Sequence, residues 1–175
     1  MEKRSINKPV IGITLGDPSG IGPEVTVKAL ALDRSVYDIC TPVVFGDRTV
    51  IGREIENLNL SVSVNHIDCI ESLSREKEVI NIIECSTLDI NHIAYALPSP
   101  DGGSAMARSI IKAVEYAQKN LIHAVVTAPI NKKALNRAGY PFPGHTEMIA
   151  SLTRTADVVM MLAGSTLRVS LVTIH

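Results

Sequence analysis

Two short stretches of the chain bring together side chains able to recognise and handle a small anion. In "PFPGHTEM" two prolines and a glycine stiffen the approach to His145 and Thr146, so an imidazole and a hydroxyl stand side by side where a turn opens a helix. In "TAPINKKAL" Lys132 and Lys133 fall in the first turn of a helix, where cations oppose the dipole unless an anion compensates them. Two lysines that reach into water and a solvated loop histidine are the bland alternatives, and neither stretch excludes them alone. A third stretch, "ITLGDPSGIGPEV", joins an apolar run to a helix. Its Gly16, Gly20 and Gly22 do not follow the G-x-G-x-x-G spacing, and no Lys-Ser/Thr completes a P-loop. A phosphate cradle, a plain strand-to-helix turn and the lip of a larger site all remain open for it.

The elements that must position these groups alternate regularly. "PVIGITL" predicts a buried strand, and "PEVTVKALAL" a helix with Pro23 in its first turn and Glu24 at the positive end of its dipole. "PVVFG" predicts a second strand and "DRTVIGREIENL" a helix capped by Asp47. "SVSVNHI" and "EVINIIEC" read as strands, and residues 86–103 as a long irregular connection of the kind that often carries function. A helix follows from about Ser104 to Lys119, with Ala105, Ile110, Ile111, Val114 and Ala117 on one apolar stripe. "HAVVTAP" reads as a fully buried strand, and "NKKALNRAG" as a short helix capped by Asn131 and ended by Gly139. "DVVMMLAG" and "LRVSLVTI" form an antiparallel hairpin, the second strand apolar enough to be buried on both faces. The fold class is therefore α/β, a mostly parallel sheet flanked by helices, in one region spanning 1–175.

Composition narrows the function classes. The chain has 175 residues, 46% of them hydrophobic, and a formal net charge of −1 with basic residues scattered throughout, so it lacks the footprint of a nucleic-acid binder. Its mean hydropathy is +0.20, yet no run approaches a membrane span and the N-terminus lacks a signal core. Cys40, Cys69 and Cys85 are odd in number with no C-x-x-C, which favours a reducing, cytoplasmic setting over a disulfide framework or a zinc knuckle.

Taken in order, "GDPSGIGPEV", "TAPINKKAL", "AGYPFPGHTE" and "LRVSLVTIH" resemble the 4-hydroxythreonine-4-phosphate dehydrogenases of pyridoxal phosphate biosynthesis, along the whole chain. The glycine loop is also similar to the "GDGIGPE" turn of isocitrate and isopropylmalate dehydrogenases, which implies their fold and a dinucleotide site without the Rossmann fingerprint. The resemblance implies hydride transfer from the secondary alcohol of a small phosphorylated hydroxy acid to NAD or NADP, giving a β-keto acid that loses carbon dioxide. It further implies a homodimer and a divalent metal, zinc, magnesium or cobalt, held by three histidines. Matched residue by residue, His145 and Thr146 contact substrate and His175 is a metal ligand; Lys132 matches a family lysine without a carried-over role. The chain stops at His175, roughly halfway through a family member, and His66, His92 and His123 fall outside the family motifs. The expectation is an N-terminal part that is inactive and metal-free by itself. Relatives acting on 4-phospho-D-threonate or 4-phospho-D-erythronate share these motifs, and a silent phosphometabolite-binding or dimerisation module is the alternative from another class.

Overall fold

The computed structural model describes residues 8–172, so His175 lies outside the described residues. Five strands build one parallel sheet: β1 (Val10–Thr14), β2 (Thr41–Gly46), β3 (Ser63–His66), β4 (Val79–Glu84) and β5 (Ala124–Thr127), in the order β3-β4-β2-β1-β5. Helices α1 (Gly22–Ala31), α2 (Val36–Ile39) and α3 (Arg48–Asn57) follow the first two strands; α4 (Pro100–Gln118), α5 (Lys132–Arg137) and α6 (His145–Thr153) come later. The α/β class with helices flanking a parallel sheet is as the alternation of apolar runs required.

Strand alternation explains the layers. All six residues of β2 are buried, so it reads as a continuous apolar run, but successive side chains serve different faces. Val44 joins Val27 and Leu30 of α1 and Val50 and Ile51 of α3 on one side. Val43 and Phe45 join Ala113 and Tyr116 of α4 on the other, with the Phe45 and Tyr116 rings edge to face at 5.2 Å. A third cluster packs Met106, Ile110 and Val114 of α4 against Leu135 of α5 and Met148 of α6, which holds the two short helices to the long one.

Three expectations need correction, and one element was not read. Helix α4 begins at Pro100, not near Ser104, because the Ser99 hydroxyl accepts from the Gly102 N–H, Pro100 suits the first turn and Asp101 faces the dipole. The strand in "HAVVTAP" is not fully buried: β5 is the sheet edge, it pairs with β1 alone, and its residues alternate between exposed and half-buried. The final hairpin does form, as β6 (Met161–Ala163) and β7 (Arg168–Ser170), but as a separate two-stranded sheet whose six residues are all exposed. No described layer covers Val159, Leu162 or Leu167, so apolar composition there does not mean burial. Helix α2 has no counterpart in the sequence reading, since one turn leaves no period to detect.

Asp47 caps α3 as its position predicted and does more. One carboxylate oxygen accepts from the Thr49 and Val50 N–H groups, and the other from the Ser86 hydroxyl (3.0 Å) and the Leu88 N–H (2.7 Å). It therefore ties the helix to the start of the connection that leaves β4. Asp47→Asn should keep the cap but turn an amide donor toward one set of donors. The expected cost is about 1.5 kcal/mol in urea unfolding, the value of a hydrogen bond to a charged group.

Candidate functional site

The sheet has its topological switch between β1 and β5. The chain leaves β1 for α1 on one face and returns to β5 from α4 on the other, so the carboxyl ends of these two strands form the crevice where open α/β sheets bind ligands. The glycine loop and the "TAP" segment meet there. The Asp17 N–H donates to the Pro129 carbonyl at 2.9 Å, and Gly16, at φ +74°, lies against Ala128 and Pro129. Close packing of two loops is what Gly16 and Gly22 serve: a Cβ on Gly22 would stand 2.5 Å from the Leu15 carbonyl oxygen and 3.2 Å from the Ala128 Cβ. Asp17 is buried; loss of solvent raises its carboxyl above the usual range while the Ser19 N–H pulls it back. The buried Thr14 and Ser19 hydroxyls have no partner in the structure.

The loop is held from behind by Arg53 of α3. Its guanidinium donates to the Pro18 carbonyl at 2.7 Å, to the Ile93 carbonyl at 2.8 Å and to Glu54 at 3.0 Å, and it stacks on the Tyr95 ring at 4.3 Å. The Tyr95 hydroxyl donates to Glu54, and the Ala96 N–H to the Ser19 carbonyl at 2.8 Å. The 86–99 connection is thereby strapped onto the glycine loop. A planar guanidinium with several donors is needed to serve three acceptors at once.

The open space lies one strand further out. A groove of about 460 Å³ runs between edge strand β5 and α6, lined by Val125, Thr127, His145, Thr146, Ile149 and Thr155 among others. Gly144 precedes α6 and no side chain caps it, while the Glu147 carboxylate of the same first turn lies 3.4 Å from where a Cβ on Gly144 would stand, an acid at the positive end of the helix dipole. His145 and Thr146 occupy that first turn. The His145 imidazole is half-buried, its Nε2 has no hydrogen-bond partner, and burial lowers its pKa, which keeps it neutral at pH 7. Lys132 of α5 approaches from the other side: its Cε lies 3.7 Å from where a Cβ on Gly144 would stand. Lys132, Lys133 and Arg137 line an adjoining shallow depression on α5. The structure thus places the two histidine- and lysine-bearing stretches next to each other, with the glycine loop packed behind rather than lining the groove. Thr127 and Thr155 escaped the sequence reading because isolated threonines at element ends carry no pattern.

Because burial disfavours the imidazolium, His145 links stability to pH. As pH falls below 6.5 the unfolded chain binds a proton before the folded one, so this contribution is complete above 6.5 and is lost as pH falls through the lowered folded value. His145→Asn should flatten that part of the profile when urea midpoints are measured at descending pH.

The remaining titratable groups offer less. Cys85 is pushed up to about 12 by burial, so it is not a thiolate nucleophile. His66 stands 3.8 Å from Glu84, His92 3.5 Å from Asp89, and His123 Nδ1 accepts the Val10 N–H at 3.1 Å. Among the described residues no three His, Cys, Asp or Glu side chains come close enough to hold a metal ion. They do not by themselves fit the three-histidine metal that the resemblance implies. Among the same residues no helix is long and apolar enough to cross a membrane.

A doubly wound parallel sheet with a groove beside its switch point defines an α/β protein of the open-sheet class. The chain belongs to the family described as pyridoxal phosphate biosynthetic protein PdxA, which matches residues 38–175. It is 43% identical over 169 residues to the 4-hydroxythreonine-4-phosphate dehydrogenase of Trichlorobacter lovleyi, a match covering 96% of this chain and 50% of that protein. It is 38% identical over 174 residues to an Oceanobacillus iheyensis protein named for D-threonate 4-phosphate dehydrogenase activity, covering 96% and 50% respectively. The crystal structure of a 4-hydroxythreonine-4-phosphate dehydrogenase from Burkholderia phymatum superposes with a TM-score of 0.88 at 39% identity, over 93% of this chain and 49% of that one. The chain spans about half the length of the curated relatives it matches.

Proposed function

We propose that the chain is part of an NAD- or NADP-dependent dehydrogenase that oxidises the secondary alcohol of 4-phosphohydroxy-L-threonine in pyridoxal phosphate biosynthesis. The product is a β-keto acid that loses its carboxylate as carbon dioxide. The observation that carries this reading, beside the family membership, is the meeting of His145, Thr146 and the uncapped α6 N-terminus in one groove next to Lys132. Thr146 and the first-turn N–H groups hold substrate oxygens, and neutral His145 offers its unpartnered Nε2 as a further hydrogen-bonding group. Lys132 supplies the positive field for a phosphorylated acid.

The groove's volume and its mixed wall of aliphatic side chains and threonine hydroxyls fit a nicotinamide ring beside a small substrate. When bound, that cofactor takes the hydride. A divalent metal, zinc, magnesium or cobalt, with His175 among its ligands, is part of the reading for the whole protein. No step is assigned to it, because the described residues supply no ligand cluster. A homodimer is also part of it, supported by the uncovered apolar hairpin β6–β7.

The similarity to the Oceanobacillus iheyensis protein favours 4-phospho-D-threonate as a second candidate substrate, with 4-phospho-D-erythronate its near analogue. These carry a hydroxyl where the first substrate carries an amine, and no described side chain in the groove tells the two apart by charge. The test is a side-by-side assay of the three substrates with NAD and NADP, using the full-length protein and following nicotinamide absorbance. Reduction with 4-phosphohydroxythreonine alone supports the first reading. Binding of all three without reduction would leave a silent phosphometabolite-binding module.

A further inference from the structure

We infer that Thr127, at the carboxyl end of β5, is a cofactor-binding residue of the candidate groove, its hydroxyl hydrogen-bonding the carboxamide of the nicotinamide ring. This assignment rests on the dehydrogenase reading above and gives each wall of the groove its own ligand.

Buried hydroxyls elsewhere in the chain are satisfied. Thr26 and Ser109 each donate to the carbonyl four residues earlier, and Ser86 donates to Asp47. Among the described residues, the buried side-chain polar atoms left without a partner are Thr14 Oγ1, Ser19 Oγ and His145 Nε2. They stand at the carboxyl end of β1, in the loop that follows it, and in the groove beside β5. Buried polar groups are normally paired, so their gathering here marks where a ligand supplies the missing partners. Thr127 continues the set into the open. It is the register partner of Thr14 on one side as Phe45 is on the other, so the three side chains form one row on the α4 face of the sheet, apolar at β2 and hydroxylic at β1 and β5. Thr127 is half-buried, lines the groove and makes no side-chain hydrogen bond among the described residues.

The composition of this wall selects its ligand. Val125 and Thr127 share a face of β5, roughly 6.6 Å apart along the strand, and the Phe45 and Ile122 cluster braces Val125 from behind. An aliphatic surface followed by a hydroxyl suits a flat ring with a carboxamide on its edge, because a threonine hydroxyl both donates and accepts, as an amide requires. None of the residues lining the groove is an acid, a lysine or an arginine. A phosphate finds its countercharge instead at Lys132, beyond Gly144. The neutral β5 wall is thereby left to the nicotinamide, and the α6 wall, with His145 and Thr146, to the substrate.

The test is a calorimetric titration of the full-length protein with NADH or NADPH, whichever the wild type binds more tightly. ADP-ribose or its 2′-phosphate, which lack the ring, and 4-phosphohydroxythreonine are titrated in parallel. Thr127→Val keeps the shape of the side chain and removes its hydroxyl. It should weaken the reduced dinucleotide about fivefold, leaving the ringless compound and 4-phosphohydroxythreonine unchanged, and Thr127→Ser should restore affinity to within about twofold. Equal weakening of the ringless compound, weakening confined to 4-phosphohydroxythreonine, or a dinucleotide affinity untouched by Thr127→Val would overturn the assignment and leave the dehydrogenase reading in place. A wild type that binds no dinucleotide would overturn that reading and the assignment with it.

Discussion

Gly16→Ala is expected to lower stability by about 3 kcal/mol or more, a large part of the 5–15 kcal/mol that holds a typical domain. Two costs add. At φ +74° a Cβ brings the left-handed penalty of about 1–2 kcal/mol. That Cβ would also stand 2.4 Å from the Pro129 carbonyl oxygen and 3.0 Å from Ala128 backbone atoms, none of which can rotate aside. Overpacking against such atoms costs about 1–3 kcal/mol. Two other glycines separate the terms. Gly139, at φ +89°, has nothing within 4 Å of its would-be Cβ, so Gly139→Ala should show the backbone penalty alone. Gly52 lies inside α3 with open space around it, and Gly52→Ala should stabilise by about 0.5–1 kcal/mol. Urea midpoints in the order Gly52→Ala, wild type, Gly139→Ala, Gly16→Ala would bear this out. A Gly16→Ala midpoint equal to that of Gly139→Ala would show that the two loops do not press together at the switch point.

What the sequence disclosed follows the same physics. Strands flanked by apolar neighbours on both faces announce themselves, which is why β1, β2 and β4 were legible from their residue types alone. Caps were legible too, since Asp47 and Asn131 act through groups two or three residues away. The start of α4 was not, because Pro100, Gly102 and Gly103 read locally as loop, whereas a Ser99 cap and packing make them helix. Edge position is a property of the whole sheet, so nothing within "HAVVTAP" distinguishes an edge strand from a central one. The groove was partly legible. His145 and Thr146 stand adjacent in the chain, but their approach to Lys132 depends on α4 holding α5 and α6 together through Met106, Leu135 and Met148. The Arg53 strap was invisible, as its acceptors are carbonyls of Pro18 and Ile93, 35 and 40 residues distant.

In the full-length protein, His145→Ala should reduce kcat/KM about hundredfold or more with every substrate that the wild type turns over. The reason is that the imidazole is the one half-buried polar ring in the groove, and under the proposed function its unpartnered nitrogen takes its hydrogen bond from the substrate. Thr146→Val is the finer probe. The residue is exposed and first-turn, so its loss should leave the unfolding midpoint within about 0.5 kcal/mol of wild type. A lost hydrogen bond to a charged group costs about 1.5–3 kcal/mol, which is roughly a ten- to hundredfold rise in KM if the hydroxyl binds the ground state. Thr146→Ser restores the hydroxyl without the methyl and should recover most of the binding. If His145→Ala and Thr146→Val both retained wild-type kinetics while remaining folded, the groove beside β5 would be a surface feature and the reacting centre would lie elsewhere. If Thr146→Val lowered kcat at constant KM, the hydroxyl would act on the transition state rather than in positioning the substrate.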